Sequence, residues 1–222
     1  GSAAEMLPPP GIFVGISPVD ATCGDAVVNY RFAGWAKKIT PRRAFKCSLR
    51  ETTGGNIVAV VDEDILSRID LTQWNDTTKK AVKAAAREAL RKFDGGIVVD
   101  GITRKVNKVT RKEYTGSNYS EKIAEKFPTL YADKMRSASA LDDIVLATTD
   151  WARDGKLVHP RVDNFVDFDH GNVLIETAGR QYSAEVVVGI TDKGESVFYD
   201  VVDIEPVNFT LKTGILNQRY YE

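Results

Sequence analysis

Histidine and arginine side chains near residue 160 are of the types that phosphate chemistry uses. His159-Pro160-Arg161 places an imidazole that titrates near neutral pH two residues from a permanent cation, and the proline holds His159 in an extended backbone. An imidazole can exchange a proton during attack by a 2′-hydroxyl while a guanidinium stabilises the crowded phosphate. The pair is therefore a candidate for metal-free phosphodiester cleavage, and a loop or capping role for His159 is the alternative.

Other cations precede this pair along the chain. Lys134 and Arg136 are two residues apart in a predicted helix, so they face different directions, and salt bridges on a solvated face are their simplest role. A basic segment predicted as a loop offers further contacts to phosphates, with Tyr114 and Tyr119 available for base stacking. Its cations are Arg104, Lys105, Lys108, Arg111 and Lys112.

Three residues in the last third of the chain need an explanation. His170 precedes Gly171 where a hairpin turn favours a residue that tolerates positive φ, so we expect a turn there. Tyr199 and Asp200 form a polar pair inside an apolar strand and must find hydrogen-bond partners when buried. Tyr182 alternates with apolar residues, which predicts a packing role.

Several common active-site motifs are absent from the sequence. It holds no P-loop, no dinucleotide-binding GxGxxG after a strand, no GxSxG elbow and no HExxH. Two histidines and the widely spaced Cys23 and Cys47 do not form a zinc-binding pattern. We therefore predict no metal and no cofactor, and the scarcity of cysteine favours a reducing, cytoplasmic compartment.

The chain has 222 residues and a net charge of −1, which hides an asymmetry. Residues 1–136 carry 23 Lys and Arg against 16 Asp and Glu, whereas residues 137–222 carry 7 against 15. A basic half is typical of nucleic-acid binding, although the two halves can also face each other in the fold. The apolar runs are far shorter than a membrane span, so we expect no membrane association.

Hydrophobic periodicity predicts the elements that would position these residues. A helix is expected from Asp76 to Phe93, with six cations on its polar face, and further helices over 120–127, 129–137 and 141–153. Short strands are expected at Ile57–Val61 and Ile97–Val99. Four strands then follow, Val162–Asp169, Asn172–Thr177, Gln181–Ile190 and Ser196–Ile204.

This order predicts an α+β fold in which several helices precede a four-stranded antiparallel β-meander. Residues 1–10 read as a protease-cleavage scar and a proline-rich leading segment, and residues 11–61 as an N-terminal β-rich extension. Residues 62–215 form the α+β domain.

Several segments together resemble a known group of domains. They are Val106–Ser117, Ala132–Arg136, Leu141–Val145, His159–Arg161, Tyr182–Gly189 and Tyr199-Asp200. Over roughly residues 60–212 the chain is similar to the large polyvalent protein-associated domains of phage and conjugative elements, and to the MuF-type carboxy-terminal toxin modules. Many such modules are assigned to the nuclease fold shared by barnase, EndoU, colicin and RelE-like proteins.

The resemblance implies a toxin-like, metal-independent endoribonuclease carried by a mobile element. His159 and Arg161 would then be the general acid/base and the phosphate ligand, with Lys134 and Arg136 as supporting catalytic cations. The substrate-binding residues would be Arg104, Lys108, Arg111, Tyr182 and Tyr199. The implied partners are RNA, for example tRNA, and an immunity protein, and the protein would act in the cytoplasm of the cell that receives it.

Two alternatives come from other functional classes. A non-catalytic accessory module would be delivered with mobile DNA and bind a host protein, and its cations would be scattered rather than gathered in one cleft. An ADP-ribosyltransferase would need a glutamate near the end of the sheet, for which Glu185 and Glu205 are available.

Overall fold

Five α-helices and eight strands make up the part of the chain that the structure, a computed structural model, describes: residues 49–155 and 165–213. The α+β class is therefore confirmed. All of these residues except Thr213 belong to one compact unit, Ser48–Lys212. His159, Arg161 and most of the predicted N-terminal extension lie outside the described residues.

The long helix α1 (Asp76–Arg91) begins where the sequence predicts it. Its N-cap is Asn75, whose side chain accepts a hydrogen bond from the backbone N–H of Thr78 at 2.9 Å. The apolar stripe packs inward, and the buried residues include Val82, Ala86 and Leu90. The cations are left on the opposite face.

The basic segment predicted as a loop is a strand followed by a helix, so that prediction was wrong. Strands β3 (Ile97–Val99) and β4 (Ile102–Lys105) form an antiparallel hairpin, and helix α2 covers Lys108–Gly116. Asn107 starts α2 through a capping box: its side chain accepts from the N–H groups of Val109 and Thr110, and the Thr110 hydroxyl accepts from the Asn107 N–H. The high charge of the segment concealed this start signal.

Three helices follow in close succession: α3 (Asn118–Lys126), α4 (Pro128–Ser137) and, after a 3₁₀ turn at Ala138–Ala140, α5 (Leu141–Ala147). The predicted helix 141–153 is thus too long. Thr148 donates its hydroxyl to the carbonyl of Ile144 at 2.6 Å as the helix ends, and Thr149–Arg153 forms strand β5 instead. Two β-branched residues in a row favour that extended continuation.

Strands β1 (Leu49–Glu51) and β2 (Ile57–Val61) form an antiparallel hairpin, and the sheet is completed by β6 (Phe165–Thr177), β7 (Arg180–Thr191) and β8 (Ser196–Pro206). The strand order is β1-β2-β6-β7-β8-β4-β3, and β5 pairs with β6 beside β2. The β2–β6 and β4–β8 pairs are parallel.

The predicted four-stranded meander has three strands in the described residues. The first two predicted strands are one, β6, which runs through His170-Gly171 without a turn. Gly171 is needed there for packing: a Cβ would lie 2.4 Å from Thr148 Cγ2 and 2.9 Å from Trp151 Cδ2. The glycine marks a close approach of β5 to β6 rather than a hairpin.

The sheet curls around α5. This helix contacts β2 and β6, which are neighbours in the strand order. It also contacts β3, the last strand at the opposite edge of the sheet. Arg104 in β4 lies 4.5 Å from the ring centroid of Trp151 in β5, although three strands separate the two. Strands about 4.8 Å apart in a flat sheet would put them roughly 19 Å apart. The curled inner surface therefore brings residues from both ends of the sheet together.

The outer surface carries a second apolar cluster, which includes Phe165, Phe168 and Val187, with Tyr199 packed against it. The Phe165 ring packs directly against Gly189, where a Cβ would come within 2.7 Å of the ring. Tyr199 reaches this cluster through a β-bulge: Val187 pairs with Asp200 and Val188 with Phe198, so Tyr199 is the extra residue.

Candidate phosphate-binding surface and buried ion pairs

Helix α1 presents the most basic surface of a single element described here. Its 16 residues include five cations and two acids. Lys80, Arg87 and Arg91 are exposed with Ala84 between them, at the 3- and 4-residue spacing that aligns side chains along one face. From Lys80 to Arg91 this row extends about 16 Å along the helix.

Acidic neighbours neutralise only part of the charge of α1. Lys79 and Lys83 both bind Glu121 of α3, and Arg91 lies 3.3 Å from the exposed Glu88. Within the described residues neither Lys80 nor Arg87 has a carboxylate partner, and Arg87 donates through Nε to the Thr115 hydroxyl at 3.0 Å. A pocket of about 320 Å³ lies along the row, lined by Lys80, Lys83, Ala84, Arg87, Glu88 and Arg91.

Two of the predicted substrate-binding residues lie on α2, which packs beside α1. Lys108 is exposed at the start of the helix. Arg111 is paired with Asp94, just after the end of α1. Lys108 therefore presents its charge to solvent, whereas the charge of Arg111 is largely used within the fold.

Lys134, predicted as a catalytic cation, is enclosed in the protein. Its ammonium donates to Asp200 Oδ1 at 2.6 Å and to the Ser120 hydroxyl at 2.7 Å, and its side chain has no exposed surface. The Ser117 hydroxyl donates to the other Asp200 oxygen at 2.7 Å. This accounts for the polar residue in strand β8 that the sequence singled out. Lys134 offers no surface to a polynucleotide in this structure.

Two aromatic rings complete the surroundings of this ion pair. The Lys134 ammonium lies 5.1 Å from the ring centroids of both Tyr114 and Tyr119. Burial lowers the pKa of Lys134 and raises the pKa of Asp200, and in each case the partner's charge acts in the opposite direction. Of the two tyrosines expected to stack on bases, Tyr114 is buried, and Tyr119 is partly buried with its hydroxyl accepting from the Ile204 N–H.

Arg136 and Tyr182 belong to a second polar network, centred on the buried carboxylate of Asp133. Asp133 accepts from Arg136 at 2.7 Å, from both Arg180 Nε and Nη2 at 2.6 and 2.8 Å, and from the Tyr182 hydroxyl at 2.5 Å. Arg136 also binds Asp64 at 3.1 Å. The network joins α4 to β7, so the packing role expected for Tyr182 holds and its hydroxyl is occupied.

Arg104 and Tyr199, the remaining predicted substrate residues, lie on opposite surfaces of the sheet. Arg104 packs on Trp151 at the inner surface. Tyr199 makes edge contacts with Phe165 and Phe168 in the outer apolar cluster. Trp151 and Asp133 were not recognised as important from the sequence, since an isolated tryptophan and one acid in a charged helix give no local signal.

His170 lies between two carboxylates rather than in a turn. Its Nδ1 is 2.6 Å from Glu185 Oε1, and its Nε2 is 3.0 Å from Asp154 Oδ2 without hydrogen-bond geometry. The imidazole thereby connects the end of β5 to β7 across β6. Its two nitrogens both face acidic groups, which makes this a structural bridge between three strands.

Among the described residues, no group of His, Cys, Asp and Glu side chains has the arrangement of a metal site. None of the helices in residues 49–155 and 165–213 has the length and hydropathy of a membrane span.

The predicted site residues that the structure describes do not converge on one cleft. Lys134 and Arg136 belong to two separate buried networks, Arg104 lies inside the curled sheet, and Lys108 lies on α2. Comparison of the chain with family models, with curated proteins and with solved structures gives no match. The functional argument therefore depends on the charges and contacts of this chain alone.

Proposed function

We propose that this domain is an RNA-binding module that docks the phosphate backbone on the basic face of α1. The observation that carries the proposal is the exposed row on α1, in which Lys80 and Arg87 have no carboxylate partner within the described residues. When exposed cations neutralise phosphates, the counterions condensed on the nucleic acid are released. This release drives binding with little dependence on base sequence.

The scattering of the other cations supports binding over cleavage. Arg111, Arg136 and Lys134 are engaged by Asp94, Asp133 and Asp200, so these three would have to break ion pairs to reach a substrate. The α1 row needs no such rearrangement. A single straight row suits a continuous backbone better than one scissile phosphate.

The test is fluorescence anisotropy with a labelled single-stranded RNA in EDTA, using the full chain. The double variant Lys80→Gln/Arg87→Gln should bind on the order of tenfold more weakly. Arg50→Gln/Lys193→Gln is the matched control, since it also removes one exposed lysine and one exposed arginine, from β1 and the β7–β8 turn. An equal loss in both double variants, or RNA binding that neither changes, would refute docking on α1.

Metal-independent RNA cleavage by His159 and Arg161 is the second candidate function. One observation favours it: the segment that contains them joins β5 to β6, and these strands carry Trp151 and Asp169 close to the buried cation Arg104. Incubation of total RNA and tRNA with the protein in EDTA tests it. Discrete cleavage that disappears in His159→Ala would establish the activity. RNA that stays intact would refute cleavage and favour the binding module.

A further inference from the structure

Arg104 is a cation held inside the curled sheet. The residue is 8 % exposed, and it is the only residue of β4 that is buried. In the sheet register it lies between Ile97 of β3 and Ser196 of β8. Its guanidinium carbon is 4.5 Å from the centroid of the Trp151 ring, so one face of the cation is stabilised by the indole.

The hydrogen-bonding capacity of this guanidinium is not filled by the protein. Arg104 Nη1 is inaccessible to solvent and has no acceptor among the described residues. Asp169 is near enough to act on the charge, but its oxygens accept from Arg153 at 2.8 and 3.1 Å, and neither accepts from Arg104 Nη1. A buried donor without an acceptor is destabilising, because it has lost its hydrogen bonds to water without replacement. Nη1 is therefore able to donate to an acceptor that comes from outside the protein.

Trp151 is the aromatic neighbour of this buried cation. The indole is partly exposed, and it lies against Gly171, where a Cβ would approach its Cδ2 to 2.9 Å. The ring is therefore held on one side by Arg104 and on the other by bare backbone. Because Arg104 is enclosed, a ligand would reach its guanidinium only if a neighbouring group such as this ring moved.

We propose that Arg104 and Trp151 form a subsite for a phosphate group, separate from the α1 face. Guanidinium groups bind phosphate oxygens in a fixed, often bidentate geometry, and an indole gives an adjoining flat surface on which a nucleotide base can stack. Inorganic phosphate, a free nucleotide and the terminal phosphate of an RNA share the chemistry that Arg104 would recognise. The proposal does not depend on RNA docking along α1.

The experiment is a tryptophan-fluorescence titration of the full chain with sodium phosphate, with AMP and with a 5′-phosphorylated RNA oligomer, at constant ionic strength set with sodium chloride. The chain has three tryptophans, so Trp151→Phe identifies the signal that comes from this ring. We expect a saturable change with phosphate that is lost in Arg104→Gln. Lys105→Gln is the matched control, because that neighbouring lysine binds Glu195 instead. The ligand that binds most tightly identifies the source of the phosphate.

Thermal unfolding keeps the test decisive if a variant changes the fold. Phosphate should raise the melting temperature of the wild-type chain and of Lys105→Gln but not of Arg104→Gln. The proposal is overturned if phosphate changes neither the fluorescence nor the melting temperature of the wild-type chain, or if it raises the melting temperature of Arg104→Gln as much as that of the wild type. The two proposals fail separately, because the RNA affinity of Lys80→Gln/Arg87→Gln tests docking on α1, whereas the Trp151 fluorescence response in Arg104→Gln tests this subsite.

Discussion

The ammonium of Lys134 lies 2.6 Å from Asp200 Oδ1 with neither side chain more than 2 % exposed, which ties helix α4 to strand β8 through a fully enclosed ion pair. Removing either partner leaves an uncompensated charge in the interior. Removing one partner of the pair is therefore expected to lower the free energy of unfolding of the domain.

We expect Lys134→Met and Asp200→Leu each to lower the free energy of unfolding by about 3–5 kcal/mol. The double variant Lys134→Met/Asp200→Leu should cost much less than the sum of the single changes, because no charge is then left unpaired. Urea unfolding followed by circular dichroism measures all three. Strictly additive losses would contradict this view of the pair.

The same enclosure predicts that Lys134 does not take part in RNA binding. At a temperature where Lys134→Met remains folded, its affinity for RNA should equal that of the wild type within about twofold, since no Lys134 surface is exposed. A tenfold loss of affinity by the folded variant would show that Lys134 becomes accessible to the nucleic acid.

The salt dependence of binding reports how many phosphates α1 neutralises. Each phosphate of a single strand that a cation neutralises adds about 0.7 to the slope of log affinity against log salt, so Lys80→Gln/Arg87→Gln should make that slope shallower by about 1.4. RNA-binding titrations between about 50 and about 300 mM salt give this slope. Arg50→Gln/Lys193→Gln should leave it unchanged, and a slope altered equally by both pairs would mean that only net charge matters.

Gly189 is expected to tolerate no side chain. Because a Cβ would come within 2.7 Å of the Phe165 ring, Gly189→Ala should destabilise the domain by about 1–3 kcal/mol. Gly54→Ala is the control, since its Cβ would make only ordinary contacts at 3.7 Å or more. Combining Gly189→Ala with Phe165→Leu should restore part of the loss, and an unchanged deficit would place the strain in the backbone instead.

Tyr182 predicts how the domain responds to alkaline pH. Burial and the neighbouring charge of Asp133 raise the pKa of Tyr182 to about 12, above its usual value near 10. A raised pKa in the folded state gives stability that is complete below pH 10 and is lost as the pH rises through 12. In urea unfolding between about pH 9 and about pH 12, the free energy of unfolding should fall less steeply with pH in Tyr182→Phe than in the wild type. Identical slopes in the two proteins would exclude Tyr182 as a contributor.

The sequence predicts helix α1 and strand β7 well because each has a long, unambiguous period. The charged segment around Lys108 was mistaken for a loop, since composition outweighed the short Asn107 capping signal. The prediction of a turn at His170-Gly171 was wrong for a different reason. A glycine that permits close packing looks the same in sequence as one that permits a turn, and only the approach of Trp151 tells them apart.

The chemistry of the site is less accessible from sequence than the elements are. Lys134 and Arg104 carry the same kind of charge as Lys80, but their burial is decided by strands and helices far away along the chain. The partnership of Lys134 with Asp200 spans 66 residues and has no local trace. The exposed row on α1, by contrast, follows directly from helical spacing, and it carries the proposed function.

The curl of the sheet around α5 has a kinetic consequence. Both parallel pairs, β2 with β6 and β4 with β8, join segments about 90 residues or more apart, and β3 meets α5 only when the curl is complete. Such non-local pairings slow folding, since loop-closure entropy must be overcome before the strands can pair. Helix α5 is the surface on which the two edges assemble, so Leu141→Ala should slow refolding more than it speeds unfolding in stopped-flow measurements. The opposite partition would show that the sheet closes before the helix is in place.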